Sequence, residues 1–505
     1  MSGSRWWRKL GILGAGTAAT LAALLLAVAA ADRSRIVWDQ SADHRFSLDP
    51  ALVRLVEAQV EPVRLVAIWD QPVDAVLGDV TALCRRAVDR SPSLSWQRID
   101  PELHKPLLAE FEAEHGPAAA PALWLLRGKR SFRIPVTFGL RRVLQRELGG
   151  ALATLADPNP PLALVLHGHG ELRPDGGELD GAQRFLRGLT LAGWRVALAE
   201  VGRSSLPPAS LVIVPGPTAP LGERDLAELT AHARDGGGIL VLADDRLPAD
   251  LHTWLRRRGL TLGPPPAGGL DAMLAGNAGN DPPPIARSLG HHRAGQEAAF
   301  PHQNLLLSEA CLRPHPALGG LGERGVSLLS PFTVPVLAVD PALVATLPEA
   351  TRARWQASGA LPATAAALFT TWPGDAWMQL RAAVLRLPEQ LDPNESLPLA
   401  AVAEYPADPA SARSGLGCRI AVWGSRQAAS DGVLALAEFA NGEALSAMAA
   451  WAGRRAAPAD IPPAEIAQFQ VKASEGFLIF LLAAVGVAVP CCFIGVAMLL
   501  WWDRR

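Results

Sequence analysis

Cysteine is scarce: five residues in a chain of 505. No Cys-x-x-Cys occurs among them, which excludes a dithiol redox centre. No Cys/His spacing reads as a zinc site. Cys491 and Cys492 fall inside an apolar run and read as packing residues. Cys84, Cys311 and Cys418 cannot all pair; one disulfide can form, and spacing does not say which. The chain also lacks G-x-x-x-x-G-K-[ST], so it is no P-loop ATPase. Charge of one sign is missing as well. The formal net charge is −2, which gives no strong field for binding nucleic acid.

Alternation is what the sequence has most of, between about Leu162 and Gly259. The apolar runs LALVLH, WRVALAEV, SLVIVP and ILVLA have strand length. Segments of helical period separate them, such as GERDLAELTAHAR, in which Leu226, Leu229 and Ala233 share one face. This predicts βαβ units and a parallel sheet covered on both faces.

The ends carry two long apolar runs. Leu10 to Ala31 follows Arg5, Arg8 and Lys9, and Phe477 to Trp502 precedes Arg504 and Arg505. Both are long enough to span a bilayer, and the flanking charges put both termini in the cytoplasm. The body between them is then exported, and the expected site is the bacterial inner membrane with a periplasmic body. The small residues of AVAAAD leave a cleaved signal peptide as a competing reading, although the run exceeds the usual ~7–15 apolar residues.

Within the body, residues 32–145 read as a small α/β domain. A helix begins near Asp49 and Pro50, VRLVAIW and LSWQRIDP are strands, and DAVLGDVTALCRRAVDR and LLAEFEAEHG are helices. ALWLLRGKR and SFRIPV pair as a hairpin around Gly128. This β-α-β-α-β-β order predicts a thioredoxin-like domain. A helix, FGLRRVLQRELGGALATL, then leads to DPNPP, and a linker at 146–161 joins the main domain at 162–460. Its pattern is interrupted at about 262–400, beginning with the Pro/Gly/Asn-rich stretch LGPPPAGGLDAMLAGNAGNDPPP. The strand CRIAVWGS and the helix GEALSAMAAWAGRR read as the return to the central sheet. Residues 461–476 link to the second apolar run.

Candidate chemistry lies where strands end. HGHGE sets His167, His169 and Glu171 at alternate positions after a strand, where side chains of an extended segment share a side and could ligate a metal. The plainer reading is a polar turn with Glu171 as a cap, since five residues seldom complete a metal site, and no metal or cofactor is expected. Gly216 follows SLVIVP, and Asp244 with Asp245 ends ILVLADD; such carboxylates can do acid–base work but more often cap the next helix. His291, His302 and His315 lie in loops without ligand spacing. No strand exit carries a Cys nucleophile.

The ordered set HRFSLDPALVRLVEAQVEPVRL, GHGE, GPTAPLGERDLAEL, DGGGILVLADD, RIAVWGS and FANGEALSAMAAW resembles a known family over nearly the whole chain. It is the auxiliary subunit family of ABC-type transport systems typified by the gliding-motility-associated GldG protein. The resemblance departs at GSRQAAS, where an acidic residue is expected near Arg426. It implies a Rossmann- or flavodoxin-like central domain similar to class I glutamine amidotransferases. It also implies a non-catalytic subunit whose exported body recognises a substrate or partner. Two spans cannot form a transport path, so the partners implied are a separate ABC-type ATPase and a multi-span permease. The competing expectations are a membrane-anchored envelope hydrolase using His167, His169 and Glu171, and a scaffold unrelated to transport.

Overall fold

A computed structural model describes residues 47–70, 75–118, 120–136, 140–200, 206–262, 289–292, 304–346, 348–350, 352–353, 361–371, 376–379, 396–407, 416–436, 438–455 and 461. Both apolar runs, nearly all of the 262–284 stretch and His302 fall outside these residues. Among the described residues no helix is long and apolar enough to cross a membrane. Leu48–Pro463 makes up one compact unit.

The unit opens where Asp49 accepts a hydrogen bond from the Ala51 amide at 2.7 Å and starts α1 (Pro50–Glu57). Pro50 suits this first turn because its missing N–H would have no partner there. There follow β1 (Val63–Ile68), α2 (Ala75–Arg90), β2 (Leu94–Ile99), α3 (Lys105–His115), β3 (Ala122–Arg127), β4 (Arg130–Pro135) and α4 (Leu140–Ala156). The strands form a sheet in the order β2-β1-β3-β4, with β1 parallel to β2 and antiparallel to β3. Period-two alternation splits its residues between two cores. Leu65, Leu123 and Leu125 pack with α1, α2 and α4, while Val66, Ile68 and Trp124 meet Phe111 of α3.

The helix read in FGLRRVLQRELGGALATL is α4, and it takes in residues 146–156, which the linker bounds of 146–161 include. Gly149 and Gly150 argue against a helix by propensity, at ~1 kcal/mol each. Both are needed because a Cβ at Gly149 would strike the Ile461 side chain, and one at Gly150 would meet the Leu191 carbonyl at 2.7 Å. Close approach of α4 to its neighbours overrides local preference.

The main domain continues with β5 (Leu162–His167), α5 (Gln183–Leu191), β6 (Arg195–Glu200), β7 (Leu211–Pro215), α6 (Glu223–Arg234), β8 (Gly238–Leu242), α7 (Ala249–Arg256) and β9 (Leu260–Leu262). A more irregular stretch holds β10 (Leu289–His292), β11 (Asn304–Leu307), β12 (Leu328–Pro331), β13 (Val336–Ala338), α8 (Pro341–Ala345), β14 (Thr364–Thr370) and β15 (Ala376–Gln379). Last come β16 (Pro398–Ala407), β17 (Gly417–Trp423), α9 (Asp431–Leu434) and α10 (Asn441–Ala452).

Seven strands form the central sheet in the order β14-β16-β17-β8-β7-β5-β6. The five from β17 to β6 run parallel, and β16 and β14 extend that edge antiparallel. Successive residues of each parallel strand enter opposite cores. Val165, Ile213 and Leu240 pack under α5 and α10, and Leu164, Val212 and Val241 pack under α6 and α7. Helices cover both faces, which explains why these strands read as unbroken apolar runs.

The return at β17 is fixed by Trp423. Its ring is fully buried, stands edge-on to Phe369 at 4.9 Å, and donates its indole N–H to Ser330 Oγ at 2.9 Å. That bond ties the central sheet to β12.

Candidate functional site

The sheet changes direction at β5: β6 lies on one side and β7 on the other, although β6 precedes β7 in the chain. Loops leaving the C-terminal ends of two such strands diverge, and an open α/β sheet has its crevice there. The HGHGE turn leaves β5 at this place.

The turn is stitched to the exit of β7. The His169 carbonyl accepts from the amides of Thr218 and Ala219 at 2.8 and 2.9 Å, and the Leu172 amide donates to the Pro215 carbonyl at 3.0 Å. Gly170 has φ 78° and lies so close to the Thr218 hydroxyl that a Cβ would overlap it.

His169 is held between two carboxylates. Its Nδ1 lies 3.2 Å from Glu171 Oε1, and its Nε2 lies 3.3 Å from Asp225 Oδ2. Glu171 Oε2 also accepts from the His169 backbone amide at 2.6 Å. Glu171 and Asp225 are both buried. Asp225 sits in the first turn of α6, where the helix dipole favours a negative charge. Burial raises its pKa, and Glu228 adds to this, while His169 and Arg224 oppose it.

His167 is not part of this chain of contacts. It ends β5 opposite Glu200 of β6 and is half-exposed. The expectation that residues 167, 169 and 171 share a side fails because Gly168, with φ 121°, and Gly170 leave the extended conformation. Both ring nitrogens of His169 are also engaged. Among the described residues no group of three or more His, Cys, Asp or Glu is arranged to hold a metal ion.

At the end of β8, buried Asp244 does not cap α7, whose N-cap is Pro248. Its Oδ1 instead accepts from the Arg246 amide at 2.9 Å, and its Oδ2 accepts from Arg246 Nε and Nη2 at 3.0 and 2.6 Å. Asp245 beside it is half-buried. The hydrogen bond that Arg246 donates to Asp244 raises the pKa of Arg246 above its usual value.

Sequence reasoning noted Arg426 only as a departure from a pattern. It follows β17 in GSR and is 4% exposed. Its aliphatic stem lies across Gly216, where a Cβ would overlap Arg426 Cγ. Gly216, with φ 73°, therefore makes room for this side chain. Arg426 Nη2 lies 3.5 Å from Asp180 Oδ1, and its Nε has no hydrogen-bond partner. Burial lowers its pKa and Arg246 acts the same way, whereas Asp244, Asp180 and Glu171 oppose the shift. The loop carrying Asp180 is anchored by Asp431, whose carboxylate accepts from the amides of Gln183 and Arg184 at 3.1 and 2.7 Å.

Groups from the ends of β5, β7, β8 and β17 thus meet at one edge. Asp225, Asp180 and Arg426 were missed because their roles depend on neighbours distant in sequence. A nucleophilic thiol is not among these groups. Cys84 and Cys418 are buried; burial raises the Cys84 pKa well above its usual value and pushes that of Cys418 up to about 12. A buried thiol with a raised pKa carries little thiolate.

No protein-family model matches this chain, and no curated protein matches it. Among solved structures, an mmIFT52 N-terminal domain aligns at 16% identity and TM-score 0.35, covering 58% of this chain and 97% of that one. A ThuA-like protein from Parabacteroides merdae aligns at 12% identity and TM-score 0.31, covering 60% of this chain and 95% of that one. An exo-beta-1,4-mannosidase from an Opitutaceae bacterium aligns at 14% identity and TM-score 0.25, covering 75% of this chain and 49% of that one. Likenesses this weak carry no functional argument.

Proposed function

We propose that the chain is a membrane-anchored, non-catalytic auxiliary subunit of an ABC-type transport system. Its exported body recognises a substrate or an envelope partner at the crevice between the ends of β5 and β7. Separate ATPase and permease chains do the work of transport. The transport assignment rests on the GldG-like order of sequence motifs. The recognition role rests on one observation: His169 is clamped by Glu171 on one nitrogen and Asp225 on the other. An imidazole held this way orients loops and presents polarity. It has no free nitrogen with which to take a proton from a bound water or hydroxyl, so the arrangement supports binding over hydrolysis.

The finer fold reading belongs to the same proposal. The parallel strands, numbered in chain order, lie as 2-1-3-4-5, an order that supports reading the domain as flavodoxin-like. The small domain, with its parallel βαβ unit and terminal hairpin, is read as thioredoxin-like.

The test is affinity recovery of the full chain from native membranes. An ATPase and a multi-span permease should copurify with it. The double variant His169→Ala/Glu171→Ala should insert and fold normally while recovering markedly less of the complex or its cargo. Equal recovery with an unchanged transport phenotype would leave these residues as turn-formers and sink the recognition role.

A further inference from the structure

Arg426 has five N–H donors and no hydrogen bond from any of them among the described residues; its one ionic contact is the 3.5 Å approach to Asp180. Buried guanidinium groups ordinarily satisfy most of their donors, because leaving them unmade costs about 1–3 kcal/mol and more for a charged group. Here the group is 4% exposed, yet the nearest carboxylates are otherwise occupied. Glu171 is taken by His169, and Asp244 by Arg246. Asp180 is 55% exposed, lies on a loop, and shares its charge with Arg246.

We propose that Arg426 anchors a ligand carboxylate, which displaces Asp180 and takes the guanidinium in a forked, two-bond geometry. The inference deepens the recognition role above and rests on it, naming the chemistry that the crevice selects. Three observations converge on it. Arg426 stands among all four strand exits, with its stem over Gly216 at the end of β7. An unpartnered Nε is the inner half of the fork that a carboxylate engages. The loop carboxylate of Asp180 already approaches the same charge, so the site accepts that group. The neighbouring charges of Asp180, Asp244 and Glu171 limit how much negative charge one anionic group can bring here, and a carboxylate brings one charge where a hydrogen phosphate group concentrates up to two.

The test uses the full chain, with succinate, inorganic phosphate and potassium chloride compared at matched ionic strength. Succinate at ten times its dissociation constant should raise the unfolding midpoint by about 1–2 °C for a body of this size. It should also slow amide exchange at residues 424–431 and 177–184. Arg426→Gln should abolish both effects, and Arg426→Lys should weaken binding because an ammonium lacks the fork. Asp180→Asn removes a competing charge worth ~1 kcal/mol near 4 Å in water, so succinate should bind about fivefold more tightly.

A peptide with a free C-terminal carboxylate, set against its amidated twin, then distinguishes a polypeptide ligand from a small acid; either source supports the inference. Equal effects of phosphate and succinate would overturn it. So would succinate effects surviving in Arg426→Gln, or an unchanged affinity in Asp180→Asn. Should Arg426→Gln fail to fold, the Lys and Asp180 variants decide the matter. Succinate binding without copurification of transporter chains would overturn the transport reading alone. Copurification without succinate binding would overturn this inference alone.

Discussion

Single residues in this protein take their meaning from contacts that spacing does not reveal. His252 is an example: in sequence it is one more helical residue, yet it is buried on α7 and its Nε2 accepts from the Leu262 amide at 3.1 Å. Protonation would put a hydrogen against that amide. Burial, with Arg256 adding to it, pushes its pKa down to about 4. An unfolded chain takes up this proton near pH 6.5, so between those values the unfolded state holds more protons. Stability should therefore fall as pH drops from about 6.5 towards 4, by up to about 3 kcal/mol from this one group. His252→Gln keeps an acceptor without titrating. Denaturant midpoints at pH 7 and pH 4.5 should converge in that variant relative to the parent, and identical pH dependence in both would refute the assignment. The candidate site behaves similarly. His169, Glu171, Gly216 and Asp244 were legible because strand ends and glycines mark themselves in sequence. Asp225 and Arg426 were not, because an acidic residue in a first helical turn and an Arg after a strand are ordinary until the fold brings them together.

Whole elements were far more legible than their partners. β5, β7 and β8 stand out as apolar runs because a strand buried on both faces has no polar positions to interrupt it. CRIAVWGS likewise marked β17 as the return to this sheet, and only its place and register required topology. β17 pairs with β8, with Ile420 opposite Ile239 and Ala421 opposite Leu240, across a long intervening stretch of chain. Leu240 lies between Ile213 and Ala421 and is fully buried. Truncation there leaves a cavity that two ladders on either side cannot collapse to fill. Leu240→Ala should cost ~2–5 kcal/mol in chemical unfolding of the body. A loss below roughly 0.5 kcal/mol, the range of surface substitutions, would contradict the central position of β8. α4 was legible as a helix through its paired glycines, and contacts with Leu191 and Ile461 explain why those two positions are glycine.

For the whole molecule, the proposed membrane anchoring rests on the charges that flank the two apolar runs. Arg5, Arg8 and Lys9 precede the first apolar run, and Arg504 and Arg505 follow the second. Positive residues beside a span are retained in the cytoplasm, so under the proposal both flanks point the same way and the chain between them crosses twice. The exported-body proposal therefore makes a three-point claim. Reporter fusions at Trp7 and at Arg505 should both read as cytoplasmic, and a fusion within 268–283 should read as periplasmic. The third point carries the most weight, because a body kept inside would give a cytoplasmic signal at all three. The first span has its own failure mode. A mature chain beginning near Ala31 would mean that the leading run is removed on export, and the body would then hang from the C-terminal span alone. In that event the crevice would still face the periplasm, but one anchor rather than two would hold it beside a permease. Mass spectrometry of the N-terminus of membrane-extracted protein separates the two arrangements.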